Sequence, residues 1–319
     1  MSNFTTPQKL ASANVLIVFI VFKCLLLILG ILGNASVIIY NVFFNRSKTK
    51  TTYFVVNLAI IDLLSCCIIY QIWITKFVRS ILGVTDDQKL FCFLDHISPI
   101  SVLLSVLTLL AITVDKFVFI NWPLRYDLIV TWRRTYFALL TIWVFGIILI
   151  PFIIIFTTTE PCRIAEMFFP VSVFIVYIFI PFLIIVVLNN KIFKIAREQR
   201  MKIAVTSIGS DTVQFPNIYS FYTVFSSSRI TRELKNIKTF VIIIGVLFCC
   251  VIPFNIILLG EVFWCHGSCM PVEVRYLFGE LIIANSIVNP FIYGIRQKEY
   301  RNAFRRFWST MCHRDWECP

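Results

Sequence analysis

One acid lies near the middle of an apolar block, and it is the residue most able to do chemistry in this chain. It is Asp62. An ionisable side chain deep inside an apolar segment costs free energy and is therefore a functional candidate. Asn34, Ser105, Asn285, Ser286 and Asn289 lie at similar depth in other blocks, and Asn285 and Asn289 are four residues apart, on one helical face. Two readings of this set stand side by side. Converging on Asp62, these oxygens would hold a small hard cation such as sodium. They would equally serve as a hydrogen-bond network joining helices.

A second constellation lies near the polar ends of two blocks. Asp115 and Lys116 are adjacent at the end of one, and Glu233 stands at the start of another. A Lys116–Glu233 pair would tie those helix ends together. Such a pair is worth under about 1 kcal/mol when exposed and more when desolvated, a size that a ligand can reverse.

These residues need elements that hold them, and composition says which kind. Apolar residues make up 59% of the 319 residues and charged residues 14%, against about 45–50% and about 25% in soluble domains. The apolar residues come in blocks near 14–43, 52–77, 90–120, 134–157, 168–194, 236–262 and 273–295. Each approaches or exceeds the roughly 20 residues that cross a bilayer as a helix. Helices are required because hydrocarbon offers no partner to an open strand edge. The expected fold is an all-α membrane protein, a seven-transmembrane helix bundle occupying 14–296. Residues 1–13 form a short polar N-terminus with no cleavable leader, and residues 297–319 form a tail.

Charge sets the orientation. The net charge of +12 invites a nucleic-acid reading, but no basic face interleaved with aromatics is present. The loops after the first, third and fifth blocks with the block ends that flank them, together with the tail, hold 22 of the 29 Lys and Arg. The positive-inside rule then puts the tail in the cytoplasm and the N-terminus outside. Asn3-Phe4-Thr5 becomes a glycosylation sequon on the outer side. Residues 197–235 read as a mobile third cytoplasmic loop rich in Ser, Thr and basic residues.

Prolines and cysteines add detail. Pro181, Pro253 and Pro290 lie inside the fifth, sixth and seventh blocks and would kink them. Cys24, Cys66, Cys67, Cys249 and Cys250 lie within apolar blocks, where a thiol acts as a small hydrophobe. Cys92 and Cys162 fall on the oxidising outer side, where a bridge can form. Cys265 and Cys269 flank His266-Gly267-Ser268, a spacing that permits a local bridge or, lacking a fourth ligand, a poor zinc site. Past the seventh block, Tyr300, Phe304, Phe307 and Trp308 share one face, with Lys298, Arg301, Arg305 and Arg306 around it. This is a short amphipathic eighth helix lying on the inner leaflet. Cys312 beyond it is a candidate for palmitoylation.

Taken in order, these features resemble rhodopsin-like G-protein-coupled receptors over nearly the whole chain. The resemblance is carried by Gly33-Asn34, by Asn57-Leu58-Ala59-Ile60-Ile61-Asp62 and by the run from Cys92 through Ser105 to Asp115-Lys116-Phe117 with Pro123. Trp143, Pro181, Cys250 with Pro253, and Asn289-Pro290-Phe291-Ile292-Tyr293 complete it. It implies an extracellular ligand in the outer half of the bundle, a heterotrimeric G protein at the inner ends, and a plasma-membrane location. It further implies a sodium pocket made by Asp62, Ser105, Asn285, Ser286 and Asn289, a Cys92–Cys162 disulfide, and a switch region of Asp115, Lys116, Glu233 and Tyr293. By position, Ser98, Tyr177, Phe254, Asn255, Glu261, Arg275 and Glu280 are candidate ligand contacts, with plain packing or loop solvation as the other reading of each.

The chain departs from the family's pattern in the activation machinery. Lys116 replaces an arginine and loses its planar fork, Val251 replaces a tryptophan, and Asn189 replaces a tyrosine. Ser98 stands where receptors for amines carry an aspartate. The seventh block has no lysine between Tyr276 and Ile295, which excludes a retinal Schiff base. Two other function classes fit the residues less well. A transporter or channel would carry embedded charges on several helices, and an internal repeat is absent. An intramembrane enzyme would need a second deep acid or a histidine at depth, and His96, His266 and His313 all lie outside the mid-membrane region. A receptor with weak G-protein coupling remains within the first reading.

Overall fold

The computed structural model describes residues 13–46, 48–84, 99–159, 173–208, 218–265, 270–297, 300–302 and 305. Those residues are helical almost throughout. Backbone groups are satisfied within each segment, as a hydrocarbon surrounding demands. Span one is Ala13–Ile39, continued by a wide turn at Tyr40–Phe44. Span two is Lys50–Ser65, a wide turn at Cys66–Tyr70, and Gln71–Ile81. Span three is Pro99–Asn121, and a short loop helix, Tyr126–Ile129, follows it. Span four is Trp132–Thr159. Span five is a wide turn at Val173–Phe179 running into Ile180–Ile208. Span six is Ile218–Gly260 with a wide turn at Glu261–Cys265, and span seven is Val272–Arg296.

Among the described residues, five helices are long and apolar enough to cross a membrane: Leu16–Phe44, Lys50–Arg79, Pro99–Asn121, Trp132–Pro151 and Ile237–Gly260. The pair Glu273–Ile282 and Ala284–Arg296 gives a sixth when taken as one bent span. The cytoplasmic half of span five carries Lys191, Lys194, Arg197 and Glu198. Span five packs along span three and against span six.

The spans close into a ring. Span one packs on spans two and seven, span seven on span six, and span six on span five. Span three sits inside, against spans two, four, five and six. Val106 and Ile112 of span three have no exposed surface, and Leu109, Ile243, Leu247 and Val251 have 1% each. The outward faces of spans one and four are instead apolar and open, with Leu25 57%, Phe137 71% and Ile148 62% exposed. Apolar outside and polar within inverts the soluble pattern, and it follows from lipid being the solvent.

Close approach needs small residues. A Cβ added at Gly30 would lie 2.5 Å from Cys66 Sγ, so spans one and two meet there. One added at Gly33 would lie 3.1 Å from Pro290 of span seven.

Several boundaries differ from those read off the apolar pattern. The insertion at 197–235 is helical over much of its length, since span five runs on to Ile208 and span six begins at Ile218. Polar residues with good helix propensity, such as Arg197, Glu198, Arg232 and Glu233, extend the helices beyond the apolar stretch. Pro253 and Pro290 lie inside helices, as does Pro151 of span four, which the reading of kinked spans omits. Pro181 falls at the second residue of Ile180–Ile208, directly after a wide turn. The wide turns within spans two, five and six are further breaks in helical register that apolar content does not signal.

Candidate functional site

The mid-membrane site is built around Asp62, which has no exposed surface. Asn289 Nδ2 donates to Asp62 Oδ2 at 2.8 Å, joining span two to span seven. Ser105 of span three and Ser286 of span seven flank the same carboxylate. The second oxygen, Oδ1, has no hydrogen bond of ordinary geometry. Asn34 Nδ2 donates to the carbonyls of Gly30 at 3.0 Å and Ser286 at 2.9 Å, which ties span one to span seven. Its Oδ1 is likewise without a partner, as are Asn285 Oδ1 and the Tyr293 hydroxyl. Thus Asp62, Ser105, Ser286 and Asn289 come together. Asn285 is buried, at 3% exposure, but makes no bond to them through its carbonyl oxygen. Buried carbonyl and carboxylate oxygens left without donors are the atoms a hard cation or a water would engage.

A second polar set braces the middle of spans two, three and four. Asn57 Nδ2 donates to Thr108 Oγ1 at 2.9 Å, and Trp143 Nε1 donates to Asn57 Oδ1 at 2.8 Å. One side chain therefore joins three helices.

At the cytoplasmic end, both oxygens of Asp115 are taken. Thr51 Oγ1 donates to Oδ2 at 2.6 Å, and Tyr126 Oη donates to Oδ1 at 2.6 Å. Lys116 Nζ donates to Thr51 Oγ1 at 2.9 Å and lies 3.9 Å from Asp115 Oδ2. Local sequence positions each partner. Thr49 caps span two, its Oγ1 accepting from Thr52 N and its own N–H donating to Thr52 Oγ1, and this starts the helix just ahead of Thr51. The turn after Pro123 starts the Tyr126–Ile129 helix and brings Tyr126 back under Asp115, eleven residues upstream. Lys50 Nζ pairs with Asp127 at 2.6 Å and sits 4.7 Å from the Tyr126 ring centre. The side chain of Glu233, the expected partner of Lys116, lies outside the described residues.

Tyr293 is 1% exposed. Its ring stacks on Tyr300 at 5.5 Å and meets Phe240 of span six edge-on at 6.5 Å. Asn41 Nδ2 donates to Tyr300 Oη at 2.6 Å, so the start of the tail is fixed to spans one and seven.

In the outer half, charges pair with one another. Glu280 is ion-paired with Lys23 of span one. Arg275 Nη2 donates to both carboxylate oxygens of Glu261, at 2.7 and 2.6 Å, joining spans six and seven. Asn255 is buried and bonds to Val251 O of its own helix at 2.8 Å. Phe254 is half-buried beside Gly279. Ser98, Cys92, Cys162, Cys269, Cys312, the sequon at Asn3 and the side chain of Tyr177 lie outside the described residues.

Sequence reasoning missed Thr51, Tyr126 and the Lys23–Glu280 pair. Thr51 and Tyr126 carry no signal, being an ordinary threonine and a loop tyrosine. Lys23 and Glu280 did carry one, as charges inside apolar blocks. Taking Glu280 as a candidate ligand contact and Asp62 as the single embedded acid hid it.

A ring of apolar-faced helices, polar within and tied at three depths, is the architecture of a membrane receptor with seven spans. Residues 33–293 match the family model described as "7 transmembrane receptor (rhodopsin family)", and the chain belongs to that family. It is 27% identical to an alpha-1A adrenergic receptor of Oryzias latipes over 97% of this chain and 69% of that one. The human alpha-1A adrenergic receptor is 26% identical over 98% and 72%. An adenosine receptor A2a of Canis lupus familiaris is 27% identical over 91% and 71%. The chain is therefore a multi-pass membrane receptor of the class that signals through G proteins, and not an enzyme.

Proposed function

We propose that this receptor binds an extracellular ligand in the outer half of its bundle and passes the signal through Asp62 to the Asp115 end of span three. A heterotrimeric G protein docks there once spans three, five and six separate. The observation that carries this reading is the closed set of bonds on Asp115. Both carboxylate oxygens are held, by Thr51 and by Tyr126, so the inner end of span three is restrained in this conformation. Releasing two charge-accepting hydrogen bonds costs about 3–6 kcal/mol in total, a range that ligand binding can supply.

Asp62, Ser105, Ser286 and Asn289, with Asn285 nearby, are the residues that would hold a sodium ion. The ion would supply a positive charge to the unpartnered Asp62 Oδ1 and so steady the restrained state. Within this set, Asn289 orients the carboxylate by binding its other oxygen.

Weak coupling is favoured by one observation of its own. Lys116 Nζ donates to Thr51 Oγ1 at 2.9 Å, and its ammonium lacks the forked geometry with which an arginine engages several carbonyls at once.

A ligand screen in cells reporting G-protein dissociation tests the proposal. An extracellular compound should evoke dissociation, and Lys116→Ala should alter basal signalling. Unchanged basal and evoked signalling in that variant would remove Lys116 from the mechanism.

A further inference from the structure

We propose that spans one, two and seven enclose an ammonium-binding site whose resident ligand is the chain's own Lys23. Lys23 is the one charged residue in the sequence of Ala13–Ile39. Its neighbours Val21, Phe22 and Leu25 face outward, at 56%, 46% and 57% exposure, while Lys23 is 1% exposed. The side chain therefore leaves a lipid-facing helix and enters the bundle. Its Nζ meets the Glu280 carboxylate. Three aromatic rings surround the same nitrogen, with centres at 5.2 Å for Phe77, 5.5 Å for Trp73 and 5.9 Å for Tyr70.

A carboxylate combined with several ring faces is the chemistry that recognises an alkylammonium group. The site is built rather than incidental. The wide turn at Cys66–Tyr70 is followed by Trp73 and Phe77, which brace each other edge-on at 6.2 Å, and Phe19 meets Phe77 at 6.3 Å. Glu280 is 3% exposed, and its Oε2 has no hydrogen bond. Tyr70 Oη, also buried, has none. The pocket thus has acceptor capacity left over after Lys23 has docked.

Holding helices together does not by itself need this arrangement, because apolar side chains of similar volume often replace a buried ion pair without loss. The cage of rings is what an ammonium requires and a plain strut does not. With Lys23 in place, the site is neutral and filled. An external amine can enter only by displacing it, and a chain without Lys23 should accept a free alkylammonium in its stead.

The test uses the full receptor in lipid nanodiscs, with thermal unfolding followed by a thiol-reactive dye and n-propylammonium chloride as the probe against sodium chloride at equal ionic strength. Lys23→Ala should melt roughly 10 °C below the parent, the scale expected when a buried carboxylate loses its partner. Propylammonium should recover at least half of that loss in a saturable manner. It should leave the parent and Lys23→Ala/Glu280→Gln unmoved, and Lys23→Ala/Trp73→Leu should need several-fold more amine. Equal shifts in Lys23→Ala and Lys23→Ala/Glu280→Gln, or no shift in Lys23→Ala, would overturn the proposal. If Lys23→Ala is not recovered folded, its yield at the surface of cells grown with propylammonium takes the place of the melt. Rescue that Glu280→Gln abolishes supports the site, and absence of rescue overturns it. The readout involves no G protein, so its failure leaves the receptor mechanism untouched.

Discussion

Asn289 Nδ2 and Asp62 Oδ2 meet at 2.8 Å, and this one bond joins spans two and seven at mid-membrane while Asp62 Oδ1 stays without a partner. A carboxylate half satisfied in this way is poised to take a cation on its other oxygen.

Sodium should stabilise the receptor through Asp62. Replacing N-methylglucamine with sodium at constant ionic strength should raise the melting temperature of the parent protein. The gain corresponds to on the order of 1–2 kcal/mol when sodium exceeds its Kd by about tenfold. Asp62→Asn should abolish the difference. A salt-specific shift that persists in Asp62→Asn places the ion elsewhere.

Gly30 should tolerate no side chain while Cys66 is present. The 2.5 Å approach of an added Cβ to Cys66 Sγ requires the thiol to turn away or one helix to move. Gly30→Ala should lose about 1–3 kcal/mol through overpacking. Cys66→Ala should restore most of it, a coupling that a double-mutant cycle on thermal stability will measure. Additive losses would mean that the two helices do not touch at this point.

The Asn57 brace should matter for folding and not for switching. Asn57→Ala strands Trp143 Nε1, while Thr108 keeps its bond to Leu104 O, and Trp143→Phe strands Asn57 Oδ1. Each stranded group costs about 1–3 kcal/mol. Surface expression should fall in both variants, while basal signalling per receptor stays at the parent level. A rise in basal signalling per receptor would put Asn57 in the switch.

How far the sequence carried depended on the source of the signal. The seven apolar blocks declare helices because lipid leaves no other choice, and the family follows from short motifs in fixed order. Asp62 stands out because a charge at depth is costly, and the four-residue spacing of Asn285 and Asn289 places them on one face. Which of the two meets Asp62 depends on helix rotation, which spacing leaves open. Thr51 and Tyr126 were illegible for a different reason. Each contacts Asp115 through the way span two is capped and the second cytoplasmic loop is folded, and neither residue type is unusual where it stands. Lys23 and Glu280 are 257 positions apart in the chain, yet both were readable as embedded charges. Sorting Lys and Arg by loop assigns Lys23 to a side of the membrane before asking whether it lies within a span, and Glu280 reads only as a candidate ligand contact, so the two are not paired.

Thr51 and Tyr126 restrain Asp115 at the inner end of span three. The direct measurement is ligand-free G-protein dissociation in cells expressing the parent or Thr51→Val/Tyr126→Phe at equal surface density, across all Gα classes. Losing both bonds should raise basal activity roughly tenfold or more with at least one Gα class. Basal activity in the double variant indistinguishable from the parent, and from cells without receptor, would contradict it.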